Sequence, residues 1–229
     1  LVRAFLMSFY EDYNMISGEY SRIGLGNYKD LFGDKDFTKA LRNTSIYVVF
    51  VVPCSIALSL LIAVLLNSNI KFRGLFQTIF FLPYVTSVIA IGLVWSWIFN
   101  SNYGLLNYVL SWFGIAKVQW LNKPKYALPS LIIFSVWKSM AFDILIFLAG
   151  LQTIPKDLYN AARVDSTPRW RVFWKITVPG IAPMISYAFI MGFISAFKVY
   201  NEVFSLWGGK AGPANSAITV VYYIYDKFY

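Results

Sequence analysis

Long stretches without a charged residue dominate the chain, and the two longest cover residues 43–70 and 74–116. Each exceeds the roughly 20 apolar residues that a helix needs to cross the hydrocarbon core of a bilayer. The pattern therefore predicts an all-α fold, a polytopic transmembrane helical bundle. The predicted spans are about 44–66, 75–99, 127–151 and 180–206, and another span starts at 217.

The polar stretches divide the chain into two regions. Residues 1–42 begin with a short apolar stretch, predicted as the end of a truncated span, and continue as an extracytoplasmic connection. Residues 43–229 form the predicted transmembrane domain, with a short basic turn at 67–73. Lys and Arg are denser in this turn and in 152–178 than in the other connections, so the positive-inside rule predicts that both are cytoplasmic.

The composition agrees with a membrane protein and argues against several other classes. Charged residues make up 14% of the 229 positions, whereas soluble domains carry about 25%. The net charge of +9 is not accompanied by a groove-reading motif, so membrane topology explains it better than binding to nucleic acid. Since there is no histidine and Cys54 stands alone, the sequence predicts no metal site.

The polar segment 154–179, between two predicted spans, is the most informative part of the sequence. Pro155 suits the first position of a helix, and the residues after it predict a short amphipathic helix. Pro168 interrupts this pattern, and a second helical stretch over 170–178 mixes basic with aromatic residues. One interpretation is an interfacial helix that rests on anionic lipid. The other is a segment that is presented to a cytoplasmic partner.

This segment resembles the cytoplasmic loop of the permease subunits of ATP-binding-cassette (ABC) importers. That loop has the pattern EAA, three residues, G, nine residues and I-x-L-P, and the sugar-transporting branch adds I-P-x-x-L-Y and an Asp before the Gly. The positions that fall at this spacing are Ile154, Pro155, Leu158, Tyr159, Asn160, Ala161, Ala162, Asp165, Ser166, Ile176, Val178 and Pro179. Three of them depart from the pattern: Asn160 replaces Glu, Ser166 replaces Gly and Val178 replaces Leu.

The resemblance extends over nearly the whole chain, for example to Phe81-Leu82-Pro83 and to the loop Gly212-Pro213-Ala214-Asn215. It implies the type I importer permease fold for 43–229, with the EAA loop at 152–179. It also implies that the loop couples the chain to an ATPase subunit. The coupling residues so implied are Asn160, Ala161, Ala162, Asp165, Ser166, Ile176 and Pro179.

The family's mechanism implies a non-catalytic subunit in a bacterial cytoplasmic (inner) membrane, crossing it several times. The implied partners are a second permease subunit, two ATPase subunits, an extracytoplasmic sugar-binding protein and the lipid bilayer. ATP and Mg are bound by the ATPase partners, and no cofactor is expected on this chain. The sequence agrees, because it lacks the G-x-x-x-x-G-K-[ST] pattern of a phosphate-binding loop.

Four ionisable residues lie within predicted spans, where such groups usually face a cavity or one another. Lys198 and Glu202 are four residues apart, so they are predicted to pair on one helix face. Lys138 and Asp143 are five apart, so each is expected to find a partner elsewhere. One interpretation of all four is interhelical ion pairing, and the other is a polar substrate pathway.

Comparison with the maltose-type member of the family places its sugar-contacting positions at Lys138, Ser139, Phe142 and Asn201. The full predicted pathway is Trp137, Lys138, Ser139, Phe142, Lys198, Tyr200, Asn201 and Glu202. Lysines are unusual for a neutral sugar, so we hypothesise an acidic oligosaccharide, such as a uronic-acid chain, whose carboxylate meets a lysine. The function that the resemblance implies is ATP-driven, binding-protein-dependent oligosaccharide import.

Two alternatives come from other classes. An ion-coupled secondary carrier would use Asp143 or Glu202 to bind its ion, but the sequence shows no pair of interrupted spans of the kind common in such carriers. A membrane-embedded transferase would need clustered acidic or metal-binding residues near one interface. The acidic residues Asp143, Glu202 and Asp226 are scattered and do not form such a cluster.

Overall fold

Helices account for nearly all regular structure in the computed structural model, which describes residues 2–14, 17–68 and 71–228. The all-α class is confirmed, with one small addition: two-residue strands β1 (Tyr10–Glu11) and β2 (Arg22–Ile23) pair antiparallel. The helices are α1 (Val2–Met7), α2 (Gly26–Gly33), α3 (Lys35–Asn67), α4 (Arg73–Val85), α5 (Val88–Ile98), α6 (Leu105–Ser111), α7 (Pro124–Thr153), α8 (Lys156–Val164), α9 (Arg169–Gly180), α10 (Ala182–Phe197), α11 (Asn201–Trp207) and α12 (Val220–Phe228). The turn predicted at 67–73 lies partly outside the described residues.

The two long helices α3 and α7 pack along each other and form the centre of the molecule. Their apolar side chains contribute to two buried clusters, one towards each end of the pair. Helix α3 begins well before the predicted span at 44. The Asp34 carboxylate accepts the Asp36 backbone N–H at 2.8 Å, which caps the helix start and extends it through polar sequence.

The structure corrects the prediction of one continuous span over 75–99. Helices α4 and α5 are bent by 108° relative to each other. Between them the chain is extended, and the Thr86 hydroxyl donates to the Leu82 carbonyl at 2.7 Å. In a continuing helix this carbonyl would accept the Thr86 backbone N–H. The side chain therefore competes with the helical hydrogen bond at the point where the helix ends.

The predicted span over 180–206 is also divided. Helix α10 ends at Phe197, three non-helical residues follow, and α11 begins at Asn201. Inside this break the Val199 carbonyl accepts the Thr219 hydroxyl at 2.8 Å. Broken helices are tolerated in membrane proteins when side chains satisfy the freed backbone groups in this way.

The broken helices also contact each other, because α5 packs against α11. Gly92 on α5 faces Ser205 on α11 so closely that a methyl group at position 92 would overlap the Ser205 side chain. Glycine is therefore required for this close approach of the two backbones.

Most of the predicted loop 152–179 is helical. Pro155 immediately precedes α8 rather than taking its first position. Helix α9 is π-helical over Phe173–Thr177, and it joins α10 through a bend of 68°. The loop therefore consists of two short helices, as predicted, and the second of them leads directly into the next apolar helix.

Helices α3 and α7 are each long and apolar enough to cross a membrane alone. The bent pairs α4–α5 and α9–α10 reach the same length and composition if each pair counts as one span. The described part of the chain thus has two to four candidate spans, where the hydropathy pattern predicts four and the start of a fifth. The difference arises at the breaks, which shorten the individual helices.

Candidate substrate cavity and coupling loop

A cavity of about 420 Å³ lies where the breaks in α4–α5 and α10–α11 face the two long helices. Its wall combines apolar side chains with polar and aromatic ones. The polar and aromatic lining residues are Tyr47, Ser55, Tyr84, Thr86, Lys138, Ser139, Phe142, Asp143, Ser195 and Glu202. A mostly apolar pocket with a few convergent polar groups is typical of a ligand-binding site.

An ion pair between α7 and α11 forms part of this wall. The Lys138 Nζ lies 2.6 Å from the Glu202 Oε1, and the two side chains are 23% and 18% exposed. The predicted pair of Lys198 with Glu202 is therefore wrong. It assumed a continuous helix, whereas the break removes the four-residue register between the two and leaves Lys198 exposed.

Asp143 lies on α7 and also lines the cavity, although the predicted pathway omitted it. Its side chain is buried, Ser55 on α3 lines the same cavity, and no ion pair with a cation is formed by Asp143 in the described part of the chain. As expected, Lys138 and Asp143 do not pair with each other. The two carboxylates and one ammonium group give this cavity an acidic excess when all are ionised.

One side of the cavity is aromatic. The rings of Tyr84 and Phe142 are stacked, with centroids 5.3 Å apart and planes 20° from parallel. Ser139 lies beside them on the exposed side of α7. Tyr84 was missed by sequence reasoning, since its position depends on the break that follows α4. The only nearby sequence feature is Phe81-Leu82-Pro83, which immediately precedes Tyr84 and resembles the family.

Four predicted pathway residues do not line the cavity. Trp137 packs against Trp95, with ring centroids 5.2 Å apart. Tyr200 packs against neighbouring aromatic rings, among them Tyr222. Lys198 and Asn201 are exposed at the α10–α11 break. The structure thus brings Lys138, Ser139, Phe142 and Glu202 together and separates them from the other four.

Helix α8 projects from the bundle as the central part of the predicted EAA loop. Ala162 is buried at its base, whereas Leu158 and Val164 are 49% and 85% exposed. The Tyr159 hydroxyl and the Thr177 hydroxyl are 3.1 Å apart, which ties α8 to α9. The helix is therefore held through Ala162 and Tyr159, and it exposes apolar side chains at Leu158 and Val164.

The end of α8 explains one departure from the family pattern. Ser166 has a φ of 52°, in the left-handed region that favours glycine. The Thr167 N–H donates to the Ala162 carbonyl at 2.9 Å, and the Ser166 N–H donates to the Arg163 carbonyl at 3.1 Å. These two bonds form a Schellman motif, in which Gly is the usual residue at the position of Ser166.

The predicted coupling residues divide between two places. Asn160, Ala161, Asp165 and Ser166 are exposed on or just after α8. Ala162 is buried and Ile176 packs against the buried cluster that joins the long helices, whereas Pro179 is exposed. Two of the seven predicted coupling residues therefore anchor the loop, and the other five are exposed.

Two broken apolar helix pairs face a cavity, and a helical loop joins the unbroken α7 to α10, an arrangement typical of membrane transport proteins. The chain belongs to the family of binding-protein-dependent transport system inner membrane components, whose profile matches residues 55–226. The predicted membership in the sugar-transporting branch of ABC importer permeases is confirmed. The subunit is non-catalytic, and this membership decides against the carrier and the transferase.

The chain is similar to several sugar permeases over almost its full length. It is 35% identical to the arabinooligosaccharides transport system permease protein AraP of Halalkalibacterium halodurans, over 99% of this chain and 71% of AraP. It is 34% identical to the lactose transport system permease protein LacF of Rhizobium radiobacter, over 99% of this chain and 76% of LacF.

Two solved structures share the fold. A bacterial alginate ABC transporter in complex with an alginate pentasaccharide-bound periplasmic protein matches with a TM-score of 0.78 and 27% identity, over 89% of this chain and 71% of that one. A bacterial ABC transporter involved in the import of the acidic polysaccharide alginate matches with a TM-score of 0.77 and 26% identity, over 98% of this chain and 76% of that one.

Proposed function

We propose that this permease subunit forms half of the translocation pathway of an ATP-driven oligosaccharide importer in the bacterial cytoplasmic membrane, which it crosses several times. The observation that carries the proposal is the cavity between the long and the broken helices, with its stacked Tyr84 and Phe142 rings and its hydroxyl and charged groups. Flat aromatic faces and hydrogen-bonding groups match the surfaces of a sugar.

The remaining parts of the importer are supplied by partners. We infer a second permease subunit for the other half of the pathway and an extracytoplasmic sugar-binding protein for delivery. Two ATPase subunits bind the ATP and Mg. The similar alginate transporter in complex with its periplasmic protein supports such an assembly.

Helix α8 is the inferred contact with an ATPase subunit. Its exposed Leu158 and Val164 offer apolar surface, and its buried base and the bond to α9 connect it mechanically to α10. Movement of an ATPase subunit against α8 would thus reach the broken helices that line the cavity. Asn160 at the usual Glu position makes this contact less ionic than in relatives with the carboxylate.

A proline scan tests the coupling. Ala161→Pro places proline inside α8 and should abolish co-purification of the ATPase, while membrane insertion stays normal. Lys156→Pro is the matched control in the same helix, because proline is tolerated at a first helical position. Normal ATPase association of the Ala161→Pro protein would contradict the assignment.

The acidic-oligosaccharide hypothesis is the finer part of the proposal. It is supported by the likeness to alginate transporters and by Lys138 in the cavity wall. Since Glu202 already pairs with Lys138 and Asp143 adds a second carboxylate to the wall, an acidic substrate must displace Glu202 from the ammonium group and bind while Asp143 is protonated.

Uptake measurements test this hypothesis. Lys138→Met should reduce uptake of a uronic-acid oligomer far more than uptake of a neutral oligosaccharide of the same length. Lys198→Met should affect neither, since Lys198 lies outside the cavity. Unchanged uptake of the acidic oligomer by the Lys138→Met protein would contradict the acidic-oligosaccharide hypothesis. The proposal of oligosaccharide import would still stand.

A further inference from the structure

The outer face of α9 carries two exposed tryptophans among three exposed basic residues. Trp170 and Trp174 are 65% and 62% exposed, and Arg169, Arg171 and Lys175 are exposed beside them. The Arg171 guanidinium lies 5.6 Å from the centre of the Trp170 ring. The segment 169–180 contains no acidic residue. This face is therefore both aromatic and strongly cationic.

The opposite face of α9 is fixed against the protein. Thr177 is buried, and Phe173 and Ile176 pack against the cluster formed by the long helices. The hydrogen bond from α8 also ends on this side, at Thr177. The orientation of α9 about its own axis is therefore set, and Trp170 and Trp174 point away from the bundle.

The bend at the end of α9 places the tryptophans close to the membrane surface. Trp174 and Trp170 lie 8 and 12 residues before Ala182, which is about 12 and 18 Å along a helix axis. With α10 along the bilayer normal and its first residue at the edge of the hydrocarbon core, the 68° bend places Trp174 and Trp170 about 4.5 and 7 Å beyond that edge. The polar layer of a bilayer is about 5 to 7 Å thick on each side.

We propose that the outer face of α9, defined by Arg169, Trp170, Arg171, Trp174 and Lys175, binds the headgroups of anionic phospholipids. Tryptophan rings concentrate at this level of a membrane, and basic residues next to them attract anionic lipids. The proposal goes beyond nucleotide coupling, since it gives the two helices of the loop different partners. Helix α8 meets the ATPase, and α9 anchors the loop to the bilayer.

Tryptophan quenching by brominated lipid tests the proposal. The complete importer is reconstituted in equal mixtures of phosphatidylcholine and phosphatidylglycerol, with either lipid brominated near its headgroup. The phosphatidylglycerol form should quench more of the wild-type fluorescence, since each basic residue at the surface favours anionic lipid by roughly fivefold. In the Trp170→Phe/Trp174→Phe protein this excess should fall, because two of the eight tryptophans of the chain no longer respond.

A charge variant and its control show whether the basic residues of α9 cause the excess quenching by phosphatidylglycerol. Gln substitution of Arg169, Arg171 and Lys175 together should remove the same part of the excess as the loss of Trp170 and Trp174 does, whereas Gln at the exposed Lys117, Lys123 and Lys125 should leave the excess intact. Equal quenching by both lipids in the wild type would overturn the proposal. Lipid quenching of Trp170 and Trp174 that appears only after removal of the ATPase would also overturn it, by showing that a protein covers this face.

Discussion

Helices α3 and α7 run unbroken through the centre of the molecule, whereas α4–α5 and α10–α11 are each interrupted by non-helical residues. The unbroken pair supplies much of the buried apolar surface on which the fold depends. The interrupted pairs bring Thr86 and Glu202 to the cavity wall, opposite Lys138. The long unbroken helices therefore form the scaffold, and the breaks in the other helices bring polar groups to the site.

Proline does not explain which helices break. Pro53 lies inside α3, and Pro129 lies inside α7, yet both helices continue. Pro83 lies inside α4, before the position where the chain bends. The interrupted pairs share the packing of α5 on α11 instead. Donation by a hydroxyl to the carbonyl four residues earlier does not distinguish them, because Ser45 and Ser130 make the same bond inside the unbroken α3 and α7.

Disruption of the contact between the two interrupted pairs should cause the largest loss of stability. In Gly92→Ala the new methyl group overlaps the Ser205 side chain, so the variant should lose about 3 kcal/mol of stability, as in severe overpacking. Thermal unfolding of the purified importer in detergent measures this loss.

Two further variants isolate the cause. Gly74→Ala adds the same methyl group in α4 where the space is open, and it should not destabilise the protein. Gly92→Ala combined with Ser205→Gly should recover most of the loss. If both alanine variants melt alike, close approach of α5 and α11 is not what requires glycine at position 92.

The ion pair between an unbroken and an interrupted helix should give the next largest effect. Glu202→Gln leaves the partly buried Lys138 without its anion and should cost about 2 kcal/mol. Denaturant unfolding of the reconstituted complex provides the measurement. The double variant Lys138→Gln/Glu202→Gln should lie closer to the wild type than Glu202→Gln does, and a larger loss in the double variant would argue against direct pairing.

This ion pair also marks how far the sequence could predict the site. Lys138 and Glu202 are recognisable as charges in apolar helices, which need partners or a cavity. The sequence does not show that these two residues pair with each other. They are separated by 64 positions, and the break at 198–200 decides which side chains meet. The i,i+4 rule fails at Lys198 for the same reason.

The fold shows the same limit. Apolar length predicts α3 and α7, and the prolines and amphipathic pattern of 154–179 predict two short helices there. The 108° bend has no periodic signature in the sequence, because α5 packs against α11, which is far from it along the chain. Tyr84 belongs to the cavity because of that bend, and sequence reasoning therefore missed it.

Removal of the Thr86 hydroxyl at the α4–α5 break should cause a smaller loss of stability. Thr86→Val keeps the side-chain shape but removes the donor to the Leu82 carbonyl, and it should cost about 1 kcal/mol. Thr78→Val is the matched control, because the Thr78 hydroxyl donates to the Gly74 carbonyl at 3.0 Å inside the continuous part of α4. Thermal unfolding should separate the two variants. Equal losses would mean that the Thr86 bond has no special part in ending the helix.

The end of α8 should give the smallest effect, with the opposite sign. There the helix ends in a Schellman motif rather than by competition for a carbonyl, and Ser166 adopts a left-handed conformation that a side chain disfavours. Ser166→Gly should stabilise the protein by about 0.5 kcal/mol, after the greater freedom of glycine in the unfolded chain is counted. Asp165→Gly is the neighbouring control, and it should destabilise, since Asp165 has a φ of −74° and gains nothing from glycine. A gain in unfolding temperature for Ser166→Gly alone would tie the family's glycine at this position to backbone conformation, whereas equal responses would tie it to contact with a partner.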